Sequence, residues 1–115
     1  MTNTVEAEEF RLVDSKGQLR ARLGMDGDSV SLSLHGAQGI LQVDIRVDPL
    51  GCHVLLAGLT KQQSYLFLKN TGASGLVLTN AAGARQAHLT LSPEGRADLR
   101  VEKATGTTGG DSGSP

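Results

Sequence analysis

The feature that most constrains this chain is a 22-residue periodicity carried on a two-residue alternation. Phe10, Leu32, Val54 and Leu76 are spaced 22 apart, and each is followed two residues later by a leucine: Leu12, Leu34, Leu56 and Leu78. Thirteen residues after each anchor stand Leu23, Ile45, Phe67 and Leu89. Gly17, Gly39 and Gly83 mark the seventh position, with Lys61 the exception, and Leu99 and Val101 begin a partial fifth unit. Within each unit apolar and polar residues alternate, as in Leu41-Gln42-Val43-Asp44-Ile45-Arg46-Val47. That period places successive side chains on opposite faces of a strand, and no stretch shows the 3.6-residue stripe of a capped helix.

Turn chemistry divides the strands. Asp14-Ser15-Lys16-Gly17, Gly36-Ala37-Gln38-Gly39 and Asn80-Ala81-Ala82-Gly83 lie inside units. Asp26-Gly27, Asp48-Pro49-Leu50-Gly51, Asn70-Thr71-Gly72 and Ser92-Pro93-Glu94-Gly95 lie between them. Gly accepts positive φ, Pro presets φ, and Asp or Asn closes the turn with its side chain. The sequence therefore predicts nine strands, near 8–13, 18–25, 29–35, 40–47, 52–58, 62–69, 74–79, 84–91 and 96–102. One dry and one wet face marks an antiparallel sheet. Tight reversing turns argue for hairpins over an open β-solenoid of 22-residue coils, whose strands run parallel, and favour a barrel over a Greek-key sandwich, which needs longer crossovers. The predicted fold is all-β: an antiparallel up-and-down meander curled into a shallow barrel, which would hide the apolar face and the sheet edges.

The predicted inward set runs from Phe10 and Leu12 through Leu32, Ile45, Val54, Tyr65, Phe67 and Leu76 to Leu99 and Val101. Keeping apolar residues on one face pairs Leu12 with Leu19, Phe10 with Ala21, Leu32 with Val43, Val54 with Tyr65, and Leu76 with Ala87. On the wet face Arg11 would meet Arg20, and Glu9 would meet Arg22. The domain occupies residues 8–103, after an N-terminal segment 1–7 and before a Gly/Ser/Thr tail, 104–115.

This layout resembles the hairpin-repeat shallow barrels of the "β-flower" type, which are related in shape to tubby-like barrels without the central helix. Segments such as VDSKGQLRARL and VDPLG also look like YD-type shell repeats, without the Tyr-Asp signature. The first resemblance implies a hydrophobic channel and binding of a lipid or another apolar ligand.

The remaining composition narrows the function classes. A net charge of −1 provides no basic stripe for nucleic acid, and the absence of Trp with only one Tyr and two Phe leaves no stacking platform for single strands. The single cysteine, Cys52, makes no disulfide framework. The N-terminus lacks a signal-peptide pattern and the longest apolar run, 54–59, is too short for a membrane helix, so a cytoplasmic location is the expectation. His35, His53 and His88 lack metal-ligand spacing, and adjacent Cys52 and His53 point to opposite faces of a strand. The acidic residues Asp26, Asp28, Asp44 and Asp48 fit turns rather than a calcium loop. Gly110-Asp111-Ser112-Gly113-Ser114-Pro115 resembles the nucleophile segment of chymotrypsin-like proteases, but within its Gly/Ser/Thr surroundings the expectation is a flexible tail without a specificity pocket. No acid, base or nucleophile converges, so neither enzymatic activity nor a cofactor or metal is expected.

One unit departs from the pattern. In the third repeat Leu55, Ala57, Leu66 and Leu68 occupy places that hold polar residues elsewhere, with Val77 beside them and Leu59 in the turn. An apolar outer face in an otherwise wet surface predicts an interface, either with a second copy in a homo-oligomer or with another protein. The alternative expectation is an apolar ligand held inside the barrel.

Overall fold

The computed structural model describes residues 2–102. The proposed Gly/Ser/Thr tail and its Gly-Asp-Ser-Gly segment lie outside the described residues. Nine strands form one antiparallel meander in sequence order. They are β1 (Glu9–Val13), β2 (Leu19–Asp26), β3 (Ser29–His35), β4 (Leu41–Asp48), β5 (Gly51–Ala57), β6 (Gln63–Lys69), β7 (Ser74–Thr79), β8 (Arg85–Leu91) and β9 (Ala97–Val101). Each boundary falls where the turn chemistry puts it. Asp14 Oδ1 accepts hydrogen bonds from the amides of Lys16 at 2.9 Å and Gln18 at 3.0 Å. Asn80, 66 residues on in the repeat, does the same for Ala82 and Ala84, each at 3.0 Å. Gly17, Gly39 and Gly83 close these turns at φ of 82°, 80° and 87°, where a side chain would be strained.

The sheet is open rather than a barrel. Among the described residues β1 contacts only β2, and β9 only β8. An odd number of meander strands leaves the first and last running the same way, so closure needs a parallel pair, which is less stable per residue than the antiparallel pairs elsewhere in the sheet.

The register corrects the predicted pairings. Phe10 lies opposite Leu23, and Leu12 opposite Ala21. Arg11 therefore meets Arg22, and Glu9 meets Gly24. Leu32 lies opposite Ile45, and Leu76 opposite Leu89. These are shifts along the correct face. Two steps of one residue make each shift. The turn pairs Val13 with Leu19, His35 with Leu41 and Thr79 with Arg85, one residue beyond the predicted register, and a β-bulge between Leu12 and Val13, Leu34 and His35, and Leu78 and Thr79 adds the second. Each bulge leaves one extra residue on the returning strand, namely Arg20, Gln42 and Gln86. Two of the extra side chains bridge onward in the same way: Arg20 Nε donates to the His35 carbonyl at 3.0 Å, and Gln42 Nε2 to the Ala57 carbonyl at 3.4 Å.

The third hairpin has no bulge. Its pairing runs unbroken from Ala57 opposite Gln63 to Gly51 opposite Lys69. Val54 consequently faces Leu66, not Tyr65, and β6 is turned over relative to its counterparts. Lys61 explains the difference. The bulged turns rely on a left-handed glycine at this position, a conformation that costs a lysine about 1–2 kcal/mol. The loop 58–62 keeps the closing bond that those turns also make, from the Gly58 amide to the Gln62 carbonyl at 2.9 Å, but lacks their second one, from the amides of Gly17, Gly39 and Gly83 to the carbonyls of Asp14, Gly36 and Asn80. A three-residue connection, 70–72, in place of the two-residue connections 27–28 and 49–50, then restores the repeat.

Candidate interaction surface

Following the paired residues across the sheet resolves its two faces. One carries Phe10 and Leu12, then Ala21, Leu23 and Met25, then Val30, Leu32 and Leu34, then Val43, Ile45 and Val47. It continues through Cys52, Val54 and Leu56, then Ser64, Leu66 and Leu68. Ser74, Leu76 and Leu78, then Ala87, Leu89 and Leu91, and finally Ala97, Leu99 and Val101 complete it. No paired position on this face holds Asp, Glu, Lys or Arg.

This is the set predicted to be inward, with β6 corrected, and nothing lies over it. Among the described residues no hydrophobic side chain is buried. The buried side chains are Ser31 and Asp44, at 4% and 8% exposure, on the polar face. The predicted dry interior is an uncovered surface because one layer of sheet cannot shield its own face. Two broad grooves run across it. The first, about 470 Å³, has Val47, Cys52, Val54, Leu66 and Leu68 among its walls, and the second, about 510 Å³, has Leu66, Leu76, Leu89 and Leu91. Ser74 lines both, and its short side chain opens the valley between them.

The six residues predicted as one interface divide between two faces. Leu66 and Leu68 belong to the continuous apolar face. Leu59 stands exposed in the loop between β5 and β6. Leu55, Ala57 and Val77 lie on the opposite face, where Leu55 faces Tyr65 and Tyr65 faces Val77. Tyr65 and Phe67, predicted to be inward, complete this half-buried island. Their rings stack at 5.4 Å, and Tyr65 meets the His53 ring at 5.3 Å, tilted 52°. Phe67 also lies over Gly75, its direct cross-strand partner: a Cβ added there would come within 3.0 Å of Phe67 Cε2. The island thus packs on itself and fills the space that a glycine leaves.

Around it the polar face is tied by ion pairs. Arg22 Nε lies 3.3 Å from Glu9 Oε1, and Arg46 Nε lies 3.4 Å from Asp44 Oδ2. His53 Nε2 lies 3.6 Å from the same Asp44 oxygen. His88 Nε2 donates to Asp98 Oδ2 at 2.9 Å, leaving the buried Nδ1 without a partner among the described residues. That hydrogen bond, aided by the Arg100 charge, holds the Asp98 carboxyl below its ordinary value. Glu9 is lowered likewise, first by its hydrogen bond with Arg11 and then by Arg22. His35 Nδ1 sits 3.3 Å from the Gly39 carbonyl at a turn. The three histidines therefore have separate local partners, and no metal-ligating cluster occurs among the described residues.

No protein-family model and no curated protein matches this sequence. No helix among the described residues is long and apolar enough to cross a membrane.

Proposed function

We propose that this chain is a non-enzymatic self-association module whose working surface is the apolar face of its sheet, with a second copy as the partner. The observation that carries this reading is an uncharged face in a one-layer sheet on which, among the described residues, no hydrophobic side chain is buried. Nine strands of five to eight residues, at about 4.8 Å spacing and about 3.3 Å rise, make a face of roughly 40 Å by 20 Å, or about 800 Å². That area equals what each partner contributes to a stable interface of ordinary size, about 800 Å². Two such sheets stacked about 10 Å apart form a β-sandwich with one shared core. A shallow barrel would bury the same residues within one copy, but two stacked copies do so without a parallel pair between β1 and β9. Leu66 and Leu68 carry over from the interface predicted in the sequence, whereas Leu55, Ala57 and Val77 do not.

Sedimentation over a range of protein concentrations tests this reading. Reversible self-association whose sedimenting mass at a given concentration falls on replacing Leu66 with Glu is the expected result. A wild-type monomer at every concentration would overturn it.

A second reading, an apolar ligand, draws on the two grooves that meet at Ser74. Their volumes fall within the roughly 300–1,000 Å³ of small-molecule sites. It predicts a lipid retained through purification and visible in native mass spectra. A ligand-free dimer rules it out.

A further inference from the structure

The open edge at β9 is a second surface, separate from the apolar face. We propose that β9 pairs antiparallel with β9 of a second copy about a two-fold axis through Leu99, joining two nine-stranded sheets into one.

The backbone sets the geometry. The Ser92 amide donates to the Arg96 carbonyl at 2.8 Å, and the Glu102 amide to the Gln86 carbonyl at 2.6 Å. Both belong to the unshifted register in which Leu89 faces Leu99. Hydrogen-bonded and non-hydrogen-bonded pairs alternate along such a ladder, so Asp98 and Arg100 direct their backbone groups toward β8. Ala97, Leu99 and Val101 direct theirs to the open edge. Among the described residues no strand meets them. Leu99 and Val101 are correspondingly among the most exposed strand residues, at 68% and 69%.

The side chains fix the partner. Antiparallel strands that keep the same face upward at an edge are related by a rotation about the sheet normal, which brings β9 to β9 and not to β1. Centred on Leu99, this rotation sets Leu99 against Leu99 of the second copy and Ala97 against Val101, all on the apolar face. On the polar face it sets Asp98 against Arg100 twice. These fall at the non-hydrogen-bonded pairs, where side chains come closest, about 4.5 Å between Cα atoms. Exposed edges are often guarded by charges that repel pairing. Here the order acid, apolar, base in Asp98-Leu99-Arg100 is its own complement.

A cysteine placed on the two-fold axis reads this contact directly. In a Cys52→Ser background, Leu99→Cys sets two thiols across a hydrogen-bonded pair, with Cα atoms about 5.5 Å apart, within disulfide range. It should form disulfide-linked dimers at least tenfold faster than Val101→Cys, whose equally exposed thiol faces Ala97. Equal rates would overturn the proposal. Charge exchange is the second arm. Asp98→Arg and Arg100→Asp should each abolish the rapid linkage of the Leu99→Cys chain, while the double exchange restores it. An equimolar mixture of the two single variants should link into heterodimers. Single variants that link as fast as the parent would again overturn it. Leu66→Glu, which removes the face contact, should leave the Leu99→Cys linkage rate unchanged, so that failure at the edge and failure at the face are told apart.

Discussion

Val54 stands directly across from Leu66, whereas Leu32, its counterpart one repeat earlier, stands across from Ile45. The two pairings differ by one residue of phase. That residue is the β-bulge present in the second hairpin and missing from the third. Its absence turns β6 over, delivers Leu66 and Leu68 to the apolar face, and sends Tyr65 and Phe67 to pack with His53.

The first prediction follows from this phase. Replacing Leu66 and Leu68 with Ser removes two side chains that a second copy would bury, at roughly 2 kcal/mol each. Sedimentation should show the dimer weakened by at least a hundredfold while far-UV circular dichroism stays that of a β-sheet. Leu55→Ser, on the other face against Tyr65, should lower the melting temperature without changing the dimer's concentration dependence. If Leu55→Ser weakened association as much as the leucine pair, the face assignment would be wrong.

Most of the fold is legible in the sequence because the turns announce themselves. Glycine at the closing position and Asp or Asn at the opening one mark the hairpins whose side-chain hydrogen bonds the structure contains. Strand positions therefore follow from the sequence nearly residue for residue. Bulges are harder to read, because Arg20, Gln42 and Gln86 look like ordinary members of an alternating strand. In β6 the run Tyr65-Leu66-Phe67-Leu68 is apolar on both parities, so alternation has no power to choose a face. Lys61, in the place of a left-handed glycine, is the available signal: it marks the hairpin that does without the bulge. Closure is not legible, for a different reason. Hydrophobic pattern says that a face must be covered, but it does not say whether one copy or two will cover it.

The glycines give the second prediction, a contrast between identical substitutions. Gly39 has φ of 80° and open space where a Cβ would stand, so Gly39→Ala should cost only the left-handed strain, about 1 kcal/mol. Gly51 is buried at the start of β5, where a Cβ would overlap the Leu68 carbonyl oxygen and come within 2.7 Å of Lys69 Cα. Those are backbone atoms that cannot turn aside, so Gly51→Ala should cost about 3 kcal/mol and disturb the pairing of β5 with β6. Urea titrations of the two variants at one protein concentration provide the comparison. Equal losses would contradict it.

Acid should loosen the edges of the sheet before its centre. Asp98 and Glu9 are held below their ordinary values of 3.8 and 4.5 by hydrogen bonds from His88 and Arg11 respectively, and both belong to edge strands. A carboxylate depressed in the folded state stabilises it above the unfolded pKa, and that contribution is lost as pH falls through the folded value. Amide exchange in β1 and β9 should therefore accelerate below about pH 4 while β4 and β5 remain protected. Asp98→Asn should remove the acid dependence in β9 and leave that in β1. An Asp98→Asn chain with the parent's pH profile in β9 would refute the assignment.

Cys52 offers the last test, because it sits near the middle of the apolar face, between Val47 and Leu68. In a single copy its thiol is exposed. Two sheets stacked on this face would close over it, whereas pairing along β9 would leave it open, since β5 is the central strand of nine. The labelling rate with a thiol reagent should thus fall as protein concentration rises through the dissociation constant measured by sedimentation. The same rate should be independent of concentration, and fast, in the Leu66→Glu chain. Labelling that stays fast in a concentrated wild-type dimer would mean that the dimer is held by some surface other than this face.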